Sequence, residues 1–283
     1  MTSRDQNLVS TEWLEDHLDA PDVIILDASW YLPTEERDAQ AEYRQEHIPG
    51  AVFFDIDAHS DRSSDLPHML PNTVAFSSAM RKLGVGDGQK IVIYDGAGLF
   101  SAARVWWTFK TMGASDVVVL DGGLPKWKAE GRALDSGTEK KMERHFTARL
   151  DHGRVRDLGE MKRNVETTRE QVIDARPAAR FKGEAAEPRP NTRSGHMPGS
   201  INIPFNLLLD DQRCFKSNAD IKAVFDGAGV DLSRPITASC GSGVTAAVLA
   251  LGLELIGIDS YGLYDGSWSE WGQDNLDTPV VTG

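Results

Sequence analysis

The sequence predicts an α/β protein of two tandem domains, each a mainly parallel sheet flanked by helices. The chain repeats itself once, strand-like and helix-like segments alternate within each repeat, and 283 residues is the length of two ordinary domains. The repeat is read from three matched motifs. Leu26-Asp27-Ala28 returns as Ile173-Asp174-Ala175, and His47-Ile48-Pro49-Gly50-Ala51 returns as His196-Met197-Pro198-Gly199-Ser200. The run Leu120 to Trp127 returns as Tyr264 to Trp271, and the three offsets are 147, 149 and 144 residues. The halves are therefore collinear with small insertions and deletions.

In the first half, Val23 to Leu26, Ile91 to Tyr94 and Val117 to Leu120 are short β-branched runs that predict strands. Thr73 to Leu83 and Ala102 to Met112 have helical character. In the second half Val172-Ile173, Ile236 to Ser239 and Ser260 to Leu263 read as strands, with Ile221 to Ala228 and Val244 to Ile256 as helices. Such alternation predicts a parallel sheet covered by helices. Gly131 to Arg156 is polar and without apolar periodicity. The domains accordingly divide as 1–138, a linker over 139–156, and 157–283.

Composition narrows the class. The formal charge is -13, a field that repels nucleic acid and anionic membrane, so an anionic ligand needs a local arginine or lysine cluster. Two cysteines in so long a chain argue against a disulfide framework or a cysteine-built zinc site, and fit a reducing compartment. Residues 1–7 lack an apolar segment of signal-peptide type. The longest apolar stretch, Val244 to Ile258, contains Glu254 and is too short to span a bilayer. A cytoplasmic location is expected.

The chemistry centres on Cys240, which opens the run Cys240-Gly241-Ser242-Gly243-Val244-Thr245 between a predicted strand and a predicted helix. Backbone N–H groups converge at such a turn, and their field favours thiolate over thiol. At the matching place, 145 residues earlier, stands Asp95. A carboxylate is no sulfur nucleophile, so one active site per chain is expected, with the first half supplying a wall of the cleft. Cys214, in the polar loop Asp210 to Lys216, lacks the glycines and helix start that would activate it. His47 and His196, duplicated although only one half has a nucleophile, read as structural. Trp106, Trp107, Trp127, Trp268 and Trp271 read as packing.

These residues resemble the two-domain rhodanese-type sulfurtransferases across nearly the whole chain. The paired His-x-Pro-Gly motifs, the run Tyr264 to Trp271 and the strand-cysteine-loop-helix carry the resemblance. Thiosulfate-preferring members typically place Cys-Arg-Lys-Gly-Val-Thr in the loop. The cation-free loop here is similar to that of the 3-mercaptopyruvate sulfurtransferase branch. The resemblance implies a ping-pong cycle in which Cys240 takes sulfur from 3-mercaptopyruvate, releases pyruvate and holds a persulfide. A thiol such as thioredoxin or a small thiol, or cyanide, then collects it.

The resemblance also implies site roles. Gly241, Gly243, Val244 and Thr245 cradle the persulfide through backbone N–H groups. Arg180 and Arg189 clamp the substrate carboxylate. Ser242 works with Asp57 and His68 in orienting groups and moving a proton. Read from the residues alone, Ser242 could equally cap a helix, the two arginines could be solvated, and Asp55, His59, Asp61 or Asp65 could stand in for Asp57 and His68 or bind a cation. No cofactor or metal is called for. The alternatives are a thiosulfate donor, a non-catalytic binding or sensor protein, and a cysteine phosphatase. The phosphatase needs an arginine six residues after the cysteine, where Ala246 stands.

Overall fold

The structure is a computed structural model that describes residues 3–283. Its strands are β1 Leu8–Val9, β2 Val23–Asp27, β3 Val52–Phe53, β4 Lys90–Tyr94 and β5 Val117–Leu120, then β6 Val155–Arg156, β7 Gln171–Asp174, β8 Ile201–Asn202, β9 Ile236–Ser239 and β10 Tyr261–Tyr264. They form two five-stranded sheets of orders β1-β5-β4-β2-β3 and β6-β10-β9-β7-β8, parallel at every pairing. The second order is the first repeated strand for strand, as the internal repeat predicts. Helices α1 Thr11–Asp16, α2 Ala39–Gln45, α3 Thr73–Leu83, α4 Ala102–Thr111 and α5 Gly123–Ala129 belong to the first half. Helices α6 Leu158–Thr167, α7 Ala178–Phe181, α8 Asn218–Gly227, α9 Ala246–Leu255 and α10 Ser267–Trp271 belong to the second.

Each central strand is buried along its length because both faces are covered, which is why β4 and β5 read as continuous apolar runs. All ten residues of α9 are buried, in keeping with a helix apolar all round. Its one charge, Glu254, pairs with Arg154 at 2.7 Å and accepts from the Tyr261 hydroxyl at 2.8 Å. The five tryptophans named above are fully buried. No helix among the described residues is long and apolar enough to cross a membrane.

The chain divides into two compact units, one of residues 1–62, 70–151 and 211–215, the other of residues 63–69, 152–210 and 216–283. The segment with His68 thus belongs to the second unit, and Cys214 to the first. The expected linker 139–156 ends in structure: His152–Arg154 form a turn of 3-10 helix and β6 adds an edge strand beside β10. A two-residue strand has no periodicity to reveal it.

Candidate active site

Cys240 follows β9, the central strand of its sheet, at the carboxyl end where open α/β sheets place their ligands. The residue is 2% exposed. Its backbone is held from the α10 side: the Cys240 N–H donates to Ser267 Oγ at 3.2 Å, and Trp268 N donates to the Cys240 carbonyl at 2.9 Å. Ser269 N donates to the Gly241 carbonyl at 2.8 Å, and the Ser269 hydroxyl donates to the same oxygen. Ser267 is itself in the left-handed region, φ 48°, a conformation costly for a residue with a Cβ, and its hydroxyl donates to the Tyr264 carbonyl at 2.8 Å. The turn after β10 is thereby fastened under the cysteine loop.

The loop turns into α9 through Gly243, φ 77°. Ser242 is buried, and the residue flanking α9 is Thr245, without a side-chain cap bond. The helix-cap reading of Ser242 therefore fails, because the helix starts four residues after it.

Arg180, in the short helix α7, lies over the loop: its Nη2 is 3.1 Å from where a Cβ on Gly241 would be. A chain of alternating charges leads there. Arg176, 1% exposed, bonds Asp174 at 2.7 Å and Glu187 at 2.8 Å, and the other Glu187 oxygen pairs with Arg180. Arg176 also lies over the Trp268 ring, 4.3 Å from its centroid. Charges this deeply buried persist only when paired and hydrogen-bonded. Arg180 Nε is left buried with no hydrogen-bond partner. Glu187, Arg176 and Ser267 were not singled out from the sequence. Glu187 lies between Arg180 and Arg189, and nothing in its spacing tells a loop glutamate from a buried counter-ion.

Arg189 lines a cleft of about 580 Å³ with Leu66, Pro67, Asn191, Ser269 and Gln273, all within the second unit. His68, next to Pro67, is buried and has φ 61°, again a strained setting for a residue with a Cβ. The second unit thus contains Cys240, Ser242, Arg180, Arg189 and His68. Asp57 belongs to the first, where its carboxylate accepts from Trp30 Nε1 at 3.0 Å. Of its neighbours, Asp55 accepts from Ala58 N at 2.9 Å in a local turn. His59 packs edge-on against Phe54, with burial holding its pKa below the usual value.

In the first half the matching loop, Asp95 to Ser101, is one residue longer before its helix. The Asp95 carboxylate is fully buried and accepts three backbone N–H groups, those of Ala97 at 2.9 Å and Phe100 at 2.7 Å in its own loop and that of Ala102 at 2.8 Å where α4 begins. This is an anion cradle filled by its own side chain. Cys214 packs against Gly122 in the same unit.

His47 and His196 have the structural bonds expected of them. Each Nδ1 is 2.8 Å from a backbone carbonyl, of Tyr43 and Phe181 respectively, and each ring stacks on the side chain of that same residue.

Comparison with known proteins agrees with this architecture. Residues 10–130 and 157–274 each match the rhodanese-like domain. Over 270 residues the chain is 45% identical to the human 3-mercaptopyruvate sulfurtransferase, covering 93% of this chain and 91% of that one. It is 43% identical over 290 residues to the mitochondrial thiosulfate/3-mercaptopyruvate sulfurtransferase 1 of Arabidopsis thaliana, covering 95% and 76%. Among solved structures, the 3-mercaptopyruvate sulfotransferase SseA from Escherichia coli superposes with a TM-score of 0.85 at 42% identity, covering 93% of this chain and 99% of that one. The chain belongs to the rhodanese-like family and carries its domain twice.

Proposed function

We propose that the protein is a 3-mercaptopyruvate sulfurtransferase working through a persulfide on Cys240. The observation that carries this reading is the placement of Arg180 against Gly241. The loop supplies no cation of its own, and the absence of a side chain at 241 leaves room for a guanidinium borne by α7. A Cβ at 241, as in the thiosulfate-type loop, would stand 3.1 Å from Arg180 Nη2 and crowd the guanidinium. A glycine at 241 thus favours a guanidinium brought from α7, and a guanidinium suits a carboxylate.

In the proposed cycle the Cys240 thiolate attacks the thiol sulfur of 3-mercaptopyruvate. The carbon–sulfur bond breaks and its electron pair passes to C3, giving the enolate of pyruvate. C3 takes up a proton, replacing the one the substrate thiol carried, and Cys240 is left as a persulfide. Arg180 and Arg189 hold the substrate carboxylate. Gly241, Ser242, Gly243, Val244 and Thr245 surround the sulfur, with His68 and Asp57 orienting groups and moving the proton. An acceptor thiolate, from thioredoxin or a small thiol, then attacks the outer sulfur and regenerates the Cys240 thiolate; cyanide leaves as thiocyanate. A reductively cleaved small persulfide is a source of hydrogen sulfide. We place the enzyme in the cytoplasm, with neither nucleic acid nor membrane as a partner, in keeping with its charge of -13.

Steady-state kinetics with both donors and cyanide as acceptor test the assignment. A larger kcat/KM is expected for 3-mercaptopyruvate; a larger value for thiosulfate would overturn it. Arg189→Ala is expected chiefly to raise KM for mercaptopyruvate, and an unchanged KM would remove Arg189 from the clamp.

A further inference from the structure

His47 has a ring nitrogen that the fold does not use. The side chain is fully buried, and its Nδ1 lies 2.8 Å from the Tyr43 carbonyl, a partner that requires Nδ1 to carry the hydrogen. Nε2 then presents a lone pair, yet it is buried and has no hydrogen-bond partner. A buried acceptor left in this way is uncommon and calls for a cause.

Two carboxylates lie near the ring. Asp135 forms an antiparallel bridge with His47, each N–H donating to the other's carbonyl at 2.9 Å, so that the two side chains share one face. Gly137 N donates to the Arg44 carbonyl at 2.8 Å and Glu139 N to the Tyr43 hydroxyl at 3.2 Å, fastening the same stretch to α2 and its end. A ring nitrogen of His47, one Asp135 oxygen and one Glu139 oxygen all lie within 4.8 Å of one another. Asp135 is exposed and Glu139 half-buried, so the acidic side of the group is the side open to an ion.

The second half supplies the control. His196 repeats the Nδ1 bond, to the Phe181 carbonyl, and repeats the bridge, but its bridge partner is Val281. The fold therefore asks for the histidine and the bridge, and does not ask for the carboxylates. They are an addition confined to the first half.

We propose that His47, Asp135 and Glu139 form a binding site for a divalent transition ion of the zinc type, separate from the sulfur-transfer site. One imidazole with two carboxylates suits such an ion: calcium and magnesium favour all-oxygen sets, and copper(I) favours sulfur. Zinc bonds of about 2.0–2.2 Å hold ligand atoms well inside that 4.8 Å limit, so the carboxylates must be able to adjust to the ion. Glu139 is placed to do so, since its ion pair with Lys141 Nζ is long, at 3.8 Å. Lys141 is also the built-in competitor for that oxygen. Asp135 already accepts from Ser136 N at 2.7 Å, which fixes the rotamer of the second ligand. A bound ion clips residues 135–139 onto the His47 turn.

Zinc titration by calorimetry of the full chain, carrying Cys214→Ser and Cys240→Ser to remove both thiolates, tests the site. One ion per chain is expected, with a rise in Tm. In that background Asp135→Asn is expected to weaken binding at least about tenfold, and Asp135→Asn with Glu139→Gln to abolish both binding and the Tm rise. These side chains lie at the surface, so the metal-free Tm of the variants reports that they fold. Cobalt(II) is expected to bind in the same ratio and to give a visible absorption band. Absence of a stoichiometric ion in the thiol-free protein would overturn the proposal, as would zinc affinity unmoved by the double variant. Calcium binding as tight as zinc would also overturn it, since the imidazole would then contribute nothing.

Discussion

Two loops built on one plan face opposite problems. Both follow the central strand of a five-stranded sheet and both lead into a helix, yet one begins with Asp95 and the other with Cys240. In the first, the carboxylate satisfies the loop's N–H groups from inside. In the second, the residue at the same place has one heavy atom beyond Cβ where a carboxylate has three, and it brings no carboxylate acceptor to the loop's N–H groups. The contrast extends to the neighbouring strand. Asp174 is neutralised by Arg176, whereas its counterpart Asp27 has Ser29, whose N–H and hydroxyl donate to it at 2.9 and 2.5 Å. The first half has thus closed its cradle with its own atoms, whereas the second sets a guanidinium beside its loop.

The largest effect should come from removing the sulfur. Cys240→Ser is expected to lower turnover by at least about 10⁴-fold, while Cys214→Ser retains activity. A persulfide found by intact mass on the Cys240→Ser protein would break the comparison at its centre.

Removing the plug from the first loop should be felt in stability. Asp95→Ala leaves three backbone donors without their buried acceptor and is expected to cost about 3 kcal/mol or more; Cys240→Ala should cost about 1 kcal/mol or less. Urea unfolding measures both. Equal costs would mean that the two loops do not differ in how their N–H groups are satisfied.

Asp27 offers a pH test. Burial raises its pKa to about 6 from an ordinary 3.8, against the lowering effect of Ser29. The folded protein therefore holds this proton more tightly than the unfolded chain. The associated stability is present at low pH and falls as pH rises from about 4 through about 6, by up to about 3 kcal/mol. The difference in stability between the parent and Asp27→Asn, taken at pH values below and above that window, isolates the group from other acids. A difference that stays constant, or that favours Asp27 more strongly at the higher pH, would contradict the assignment.

The smallest effect concerns the wiring of Arg180. Glu187→Gln keeps the shape and removes the counter-charge shared by Arg176 and Arg180. KM for mercaptopyruvate is expected to rise about tenfold with kcat nearly unchanged. A fall in kcat at constant KM would assign Glu187 to a different step.

Much of this could be read before any coordinates. Strands such as Val117–Leu120 announce themselves as β-branched runs, and the repeat fixes how many sheets there are. The strands of two residues, among them Leu8–Val9 and Val155–Arg156, stay hidden because pairing at a sheet edge demands little of composition. At the site, Cys240 and its glycines are legible because a nucleophile at a strand-to-helix turn needs those residue types in that order. Glu187 and Ser267 are illegible for a shared reason. Their parts depend on which backbone or charge the fold carries past them, and Ser267 is in a left-handed conformation that sequence would assign to glycine, the residue that its counterpart Gly123 supplies. The inside-facing role of Asp95 was likewise out of reach. The sequence marks it as a missing nucleophile, and only loop geometry turns its oxygens onto Ala97, Phe100 and Ala102.

The division of the chain into its two units has a consequence for descent. Residues 63–69 are encoded in the first copy and belong to the second body; residues 211–215 are encoded in the second and belong to the first. A duplicated gene begins as two self-sufficient modules that could be cut apart or shuffled. Here each module has lent a strip to its sibling, so neither copy can be inherited alone without leaving part of itself behind, and for the thiol-bearing copy the part left behind includes His68.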